Sequence, residues 1–86
     1  MQRIFDEAGF AGRFYMADLD EPVHVHVFKD GKEAKFWTSP INCAKNNGLS
    51  RKELRKAEDL VQKYLQDILT LWHQAEEARK NAGRTG

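Results

Sequence analysis

The chain has 86 residues, of which 41% are hydrophobic and 31% are charged, a balance typical of a folded domain rather than a disordered one. A chain of this length hides about 60 to 65% of its unfolded surface, so we expect one small domain whose site is a surface or cleft rather than a deep cavity. Fourteen basic against thirteen acidic residues leave a formal charge of +1, which excludes a global field that would attract nucleic acid or an anionic membrane.

Cysteine content and hydropathy predict the compartment. Cys43 is the only cysteine, which excludes an internal disulfide and a multi-thiolate metal site. No uncharged run approaches the roughly 18 residues that a membrane span needs. We therefore expect an unexported, cytoplasmic protein that does not contact a membrane.

Three strands are predicted in the N-terminal half. Residues 12–17 (GRFYMA) and 23–28 (VHVHVF) alternate in part between polar and apolar side chains, and the loop DLDEP separates them. Asp30-Gly31 is typical of a two-residue hairpin turn, because both turn residues take positive φ. A third strand, Glu33 to Trp37, follows.

The Asp-Gly turn fixes the register of this hairpin. It places Phe28 opposite Glu33, Val27 opposite Ala34, His26 opposite Lys35, Val25 opposite Phe36, and His24 opposite Trp37. Strand alternation then gives an apolar face of Val25, Val27, Ala34 and Phe36, which Phe14 and Met16 extend. The opposite face carries His24, His26, Phe28, Lys35 and Trp37, together with Arg13 and Tyr15.

The C-terminal half is predicted to be helical. Ser39 and Pro40 indicate a helix start and Gly48 a stop, so a short linking helix is expected over Pro40 to Asn47. Ser50 and Glu53 form a capping box, and apolar residues then recur at helical spacing, which predicts one long helix from Arg51 to about Arg79. The expected fold is α+β, a three-stranded antiparallel β-meander packed against a long C-terminal α-helix. Residues 1–80 form this single domain and residues 81–86 a flexible tail.

Two histidines on one strand face allow several kinds of site. His24 and His26 could ligate a metal ion with Asp18, Asp20 or Glu21 as a carboxylate ligand. The register, however, places the Lys35 ammonium beside His26, where a positive charge opposes a divalent cation. We therefore predict no metal and no cofactor.

The same face could carry out metal-free chemistry on RNA. Cleavage through the 2′-hydroxyl needs a base, an acid and a cation, which His24, His26 and Lys35 would supply. Arg13, Tyr15 and Trp37 would contact phosphates and bases. These side chains also suit docking of a protein, since Trp, Tyr and Arg are enriched at binding hot spots. A structural alternative is that both histidines are half-buried and bonded to backbone or carboxylates.

The long helix adds a second set of candidate binding residues. Its first turns carry a cluster of positive charge: Arg51, Lys52, Arg55 and Lys56. Positive charge is unfavourable near a helix N-terminus, and a bound phosphate or acidic partner would offset this repulsion. A solvated face is the alternative. Trp72 is expected in the core or in an interface, and its neighbour His73 is kept as a candidate contact.

The ordered motifs EPVHVHV (21–27), EAKFW (33–37), Pro40, NNGLSRKEL (46–54) and LWH (71–73) resemble domain of unknown function 4160, a family of small bacterial proteins. The resemblance covers about residues 9 to 75. It departs at Val23, where members often have a second proline. It implies a gene neighbour of domain of unknown function 2442 and a toxin-antitoxin-like pair. The family pattern falls on His24, His26, Ala34, Lys35, Phe36, Trp37, Trp72 and His73, and it implies no catalytic role for them.

Together these observations predict a small cytoplasmic protein-interaction domain, one member of a two-component module that docks a cognate protein through its His/Lys/Trp sheet face. One alternative is a metal-independent ribonuclease toxin using His24, His26 and Lys35. Another is a nucleic-acid-binding regulator using the cluster Arg51, Lys52, Arg55 and Lys56, and RNA is a possible partner. The sequence leaves enzymatic activity, the toxin or antitoxin role and the oligomeric state open.

Overall fold

The computed structural model describes residues 1–82, which form an α+β fold with one five-stranded antiparallel sheet and two helices. The elements are β1 (Gln2–Glu7), β2 (Phe10–Phe14), β3 (His24–Lys29), β4 (Lys32–Thr38), β5 (Ile41–Asn47), α1 (Arg51–Lys63) and α2 (Leu65–Ala82). Each strand pairs with its neighbour in sequence, so the sheet is a meander in the order β1-β2-β3-β4-β5. The chain therefore builds its sheet entirely from successive hairpins.

The central hairpin forms as predicted. Asp30 and Gly31 take φ values of 48° and 78°, as the two-residue turn requires. The register of β3 against β4 confirms all five predicted pairs, from Phe28 opposite Glu33 to His24 opposite Trp37. Val25, Val27, Ala34 and Phe36 are all buried on one face. The other face is therefore the one that carries His26, Lys35 and Trp37.

The prediction of three strands was wrong, because the sheet has a further strand at each edge. At the N-terminal edge, β1 pairs with β2, and a register shift between Arg3 and Phe5 interrupts the regular alternation that would have indicated a strand. The strand β2 ends at Phe14, so Tyr15 and Met16 lie beyond it. Phe14 points into the core, as expected.

The segment predicted as a short linking helix is the strand β5. Ser39 and Pro40 form the turn between β4 and β5 rather than a helix start, and Thr38 lies opposite Ile41. Pairing with β4 gives backbone groups of this segment hydrogen-bond partners, whereas an isolated helix of this length is marginal. The local cap and proline signals were thus overridden by the neighbouring strand.

The helical region begins as predicted but is not one helix. The Ser50 hydroxyl accepts from the Glu53 backbone N–H at 3.1 Å, and the Glu53 carboxylate accepts from the Ser50 N–H at 2.9 Å, which confirms the capping box. The helix is interrupted at Tyr64, where φ is −100° and ψ is 16°. The last residues of α2, Asn81 and Ala82, fall in the predicted tail, and residues 83–86 lie outside the described part of the chain.

Contacts with β1 hold the junction between the helices. The Tyr64 hydroxyl donates to the Glu7 carboxylate at 2.6 Å, and Lys63 donates to the same carboxylate at 2.8 Å. The Tyr64 ring stacks on Phe5 with 4.7 Å between ring centroids. The junction between the two helices is therefore attached to strand β1 by both a polar and an aromatic contact.

Two buried clusters divide the core. The larger one joins the apolar sheet face to both helices and includes Val25, Val27, Phe36, Leu60, Val61 and Ile68. The smaller one consists of Phe14, Leu19, Trp72 and Ala75, and it joins α2 to the segment between β2 and β3. The smaller cluster holds that segment against one end of the sheet, beside the histidines of β3.

Candidate functional site

The segment between β2 and β3 brings an aspartate against the two histidines of β3. Met16–Asp18 form a single 3₁₀ turn, in which the Asp18 N–H donates to the Tyr15 carbonyl at 3.0 Å. The next residue, Leu19, is buried in the smaller core cluster and anchors the segment. Asp18 is thereby placed over the start of β3, where it meets His24 and His26.

His24 is enclosed, with 0% of its surface exposed. Its Nδ1 lies 2.9 Å from the carbonyl oxygen of Pro22, and because a carbonyl only accepts, Nδ1 carries the proton and donates. Its Nε2 lies 3.1 Å from Oδ2 of Asp18. The rings of Trp72 and Trp37 pack edge-on against it, at centroid distances of 5.2 and 5.5 Å. Both ring nitrogens of His24 are therefore occupied inside the protein.

His26 lies one step along the strand and has a similar pair of partners. Its Nδ1 lies 2.7 Å from Oε2 of Glu33, and its Nε2 lies 3.4 Å from the same Oδ2 of Asp18 that faces His24. The Tyr15 ring meets its edge at 5.0 Å. The side chain of His26 is 12% exposed, so solvent reaches this part of the cluster.

The Asp18 carboxylate is the centre of this arrangement. Partial burial raises its pKa, but hydrogen bonds with the His24 and His26 rings outweigh that effect, so the pKa of Asp18 lies below its ordinary value. Its side chain is 26% exposed. Asp18, His24 and His26 therefore form a cluster that is closed towards the core and open towards solvent on one side.

Lys35 and Trp37 lie beside this cluster on β4. The Lys35 ammonium donates to the Glu21 carboxylate at 2.9 Å and lies 4.4 Å above the centroid of the Trp37 ring. Trp37 is half-buried and contributes to an apolar cleft of about 310 Å³. The Trp37 cleft, as we name it, is lined by Pro22, Val23, Trp37, Thr38, Ser39 and Leu69.

The predicted catalytic set is brought together, but its members are not equally accessible. The register places Lys35 opposite His26, as expected. His24, by contrast, has no exposed surface and cannot touch a phosphate in this conformation. The arrangement matches the structural alternative, in which the histidines bond to a backbone carbonyl and to carboxylates.

Of the predicted binding residues, Arg13 and Tyr15 lie next to the cluster. The Arg13 guanidinium donates to the Phe5 carbonyl at 2.9 Å and to the Asp6 carboxylate at 2.8 Å, and its side chain is only 12% exposed. Arg13 thus holds β1 to β2 rather than pointing outward. Tyr15 packs on His26.

Five other predicted binding residues are spread over the helices. Trp72 is buried at 1% exposure, so it belongs to the core rather than to a surface contact. His73 is exposed and bonds to Glu76 at 2.9 Å. Arg51, Lys52 and Arg55 are exposed on α1, which packs on the apolar sheet face, opposite to His26 and Lys35. The basic cluster and the histidine cluster are therefore separate surfaces.

Two glutamates of the site were missed by the sequence reasoning. Glu33 shares the sheet face of His26 through the predicted register, so the pattern could have indicated its contact with that ring. Glu21 was considered only as a metal ligand, and it instead pairs with Lys35. Asp18, rather than Asp20 or Glu21, is the carboxylate that meets both histidines, and its position depends on the 3₁₀ turn. No local pattern predicted that turn.

Comparison with known proteins gives one match. The family model described as a domain of unknown function, DUF4160, matches residues 9–73, which is most of the chain and includes the whole histidine cluster. Neither the curated proteins nor the solved structures contain a match. Within residues 1–82, the helices are too short or too polar to cross a membrane.

Proposed function

The chain belongs to the DUF4160 family, a domain of unknown function, and we propose that it is a protein-interaction domain that docks a partner protein at the Trp37 cleft. The observation that carries this proposal is a half-buried tryptophan at an apolar cleft of about 310 Å³. Tryptophan is among the residues most enriched at binding hot spots. The volume lies at the low end of the range for ligand pockets, which fits one or two side chains of a partner.

The tryptophan is also ordered in advance. The Lys35 ammonium lies over its ring, and the Glu21 carboxylate pairs with the same ammonium. A side chain that is already fixed loses little rotamer freedom on binding, so more of the contact energy remains for affinity. An apolar anchor from the partner would fill the space between Trp37 and Leu69.

The partner that we propose comes from the two-component module that the resemblance implies. The first protein to test is the neighbouring gene product of domain of unknown function 2442, and the module would work in the cytoplasm in a toxin-antitoxin-like manner. The support for docking is the cleft itself, and the support for this partner is the resemblance alone. Both parts of the proposal are testable with the same complex.

The experiment is co-expression of the two proteins followed by calorimetry on the purified pair. We expect a complex in which Trp37→Ala weakens binding about 30-fold or more, the effect of losing a hot spot of about 2 kcal/mol. Glu58→Ala, an exposed change on the opposite side of the sheet, is the control and should bind as the wild type does. Absence of a complex, or equal affinity of wild type and Trp37→Ala, would contradict the proposal.

The ribonuclease and nucleic-acid alternatives make different predictions in parallel assays. RNA cleavage that disappears in the double variant His24→Ala/His26→Ala would favour the ribonuclease function over the docking function. For such catalysis, His24 would first have to leave its enclosed position. The exposed Arg51, Lys52 and Arg55 favour nucleic-acid binding only if affinity falls steeply as salt is added. Salt-insensitive binding would argue against phosphate contacts.

A further inference from the structure

We propose that Asp18, His24 and His26 form a binding site for one divalent transition-metal ion, with Zn²⁺ as the first candidate. The three ligand atoms, one from each residue, lie within 4.8 Å of one another. Two imidazoles and one carboxylate are a common ligand set for zinc and for other first-row divalent ions. The inference is independent of the docking proposal, because it concerns a different group of atoms.

The hydrogen bonds of the two rings direct their lone pairs at one point. Pro22 and Glu33 each offer only an acceptor to the Nδ1 of a histidine, at 2.9 and 2.7 Å. A neutral ring with its proton on Nδ1 presents an unprotonated Nε2. Both Nε2 atoms face Oδ2 of Asp18, which is itself an acceptor. When both rings are in this neutral form, three electron-rich atoms converge, and a cation among them would take the place of the hydrogen bonds that Nε2–H groups otherwise donate to Asp18.

The distances from Asp18 to the two rings are compatible with metal ligation. Ligand atoms around a tetrahedral zinc ion, at about 2.0 to 2.1 Å from the metal, lie about 3.3 Å apart. The two separations from Oδ2 of Asp18 are 3.1 Å to His24 and 3.4 Å to His26. A hydrogen bond between an imidazolium and a carboxylate is shorter, about 2.7 to 2.9 Å. These two separations leave room for an ion, and the convergence of all three ligand atoms within 4.8 Å carries the proposal.

The surroundings have the features of a metal site's outer shell. A metal-ligating histidine almost always donates its other N–H to a carbonyl or carboxylate, which fixes the ring and raises its basicity. His24 does so with Pro22 and His26 with Glu33. Lys35, whose charge argued against a metal in the sequence, is paired with Glu21 and lies over Trp37.

The site would be open at one position. Three protein ligands leave a fourth place on a tetrahedral ion, and Asp18 and His26 are partly exposed, so water can fill that place. Closed structural zinc sites use four protein ligands. We therefore infer an exchangeable ion that also ties the loop carrying Asp18 to strand β3.

The test uses the full chain without an affinity tag, stripped of metal with a chelator. Zn²⁺ is titrated by calorimetry, native mass spectrometry counts the bound ions, and the visible spectrum of bound Co²⁺ reports the coordination geometry. We expect one ion per chain. Asp18→Asn and His26→Gln should each weaken binding about 100-fold or more, and Glu33→Gln about 10- to 100-fold.

Matched controls separate this cluster from adventitious surface sites. His73→Gln and Asp20→Asn remove an exposed histidine and an exposed aspartate elsewhere, and both variants should bind Zn²⁺ as the wild type does. Absence of Zn²⁺ uptake at one equivalent would overturn the proposal. Unchanged affinity in Asp18→Asn and His26→Gln would overturn it as well, since the ion would then lie elsewhere.

A measurement on the wild-type chain covers the case in which a ligand variant does not fold, which circular dichroism would show. Nitrogen NMR resolves the ring atoms of each histidine. Added Zn²⁺ should shift the Nε2 resonances of His24 and His26 and leave those of His73 in place. A shift confined to His73, or equal small shifts of all three histidines, would refute the assignment.

Discussion

The buried position of Trp72 leads to a sharp prediction for the change Trp72→Ala. The side chain is 1% exposed and packs on Phe14 and His24, at ring-centroid distances of 5.3 and 5.2 Å. Truncating a buried tryptophan removes about 3 to 5 kcal/mol from the free energy of unfolding. A domain of this size has a total near the lower end of about 5 to 15 kcal/mol, so the variant should be close to unfolded.

Urea denaturation followed by circular dichroism measures this effect. With a slope of about 1.5 kcal/mol per molar urea, the midpoint of Trp72→Ala should fall by about 2 to 3 M. Trp37→Ala is the matched comparison, because Trp37 is only half-buried, and it should lose less than half as much stability. A loss below about 1 kcal/mol in Trp72→Ala would refute the core assignment and restore the prediction that Trp72 is a contact residue.

Three further predictions follow from the helix cap, an ion pair and a close contact. Ser50→Ala removes the acceptor of the capping box and should lower the free energy of unfolding by about 1 kcal/mol, measured by urea denaturation. The hydrogen bond from Lys32 lowers the pKa of Glu53 to about 2 from 4.5. The ionised Glu53 carboxylate therefore stabilises the fold fully above pH 4.5, and this stabilisation is lost as the pH falls through 2. The free energy of unfolding, measured against pH, should differ between wild type and Glu53→Gln near neutral pH and converge at low pH. Parallel curves would contradict this. Gly12→Ala would place a methyl group against the Phe5 ring and should destabilise the fold by about 1 to 3 kcal/mol. The thermal unfolding midpoint should therefore be lower than that of the wild type. An unchanged midpoint would show that the Phe5 ring moves freely.

The elements that the sequence predicted correctly are those with a strong local signal. The Asp30-Gly31 turn fixes a register by itself, and the alternation of valines and histidines on β3 then assigns each side chain to a face. The capping box at Ser50 likewise marks a helix start by its own hydrogen bonds. In each case the stabilising contacts lie within a few residues of the signal.

The errors arose where a distant contact decides the structure. Residues 41–47 are a strand because β4 pairs with them, although the preceding Ser39-Pro40 is typical of a helix start. The helical region divides at Tyr64, whose hydroxyl contacts Glu7, 57 residues away in sequence. Neither contact has a counterpart in the local pattern, so propensity alone favoured a helix in both places.

The candidate site, like the fold, could be predicted only in part from the sequence. Register alone brought His26 beside Lys35, and the strand alternation placed His24 on the same face. The enclosure of His24 was not predictable, because it results from the loop that carries Asp18 and from Trp72 on α2. The same loop carries Glu21, whose carboxylate pairs with the Lys35 ammonium that had argued against a metal.

The stacking of Phe5 on Tyr64 sets the minimum length of an expression clone. The family match begins at residue 9, yet the whole of β1 lies before that point. A fragment cut at the matched boundaries would lose Phe5, a side chain 4% exposed, together with the Glu7 carboxylate that holds the helix junction. Boundaries drawn from sequence similarity would therefore give an incomplete fold of this chain, so an expression clone should begin ahead of β1.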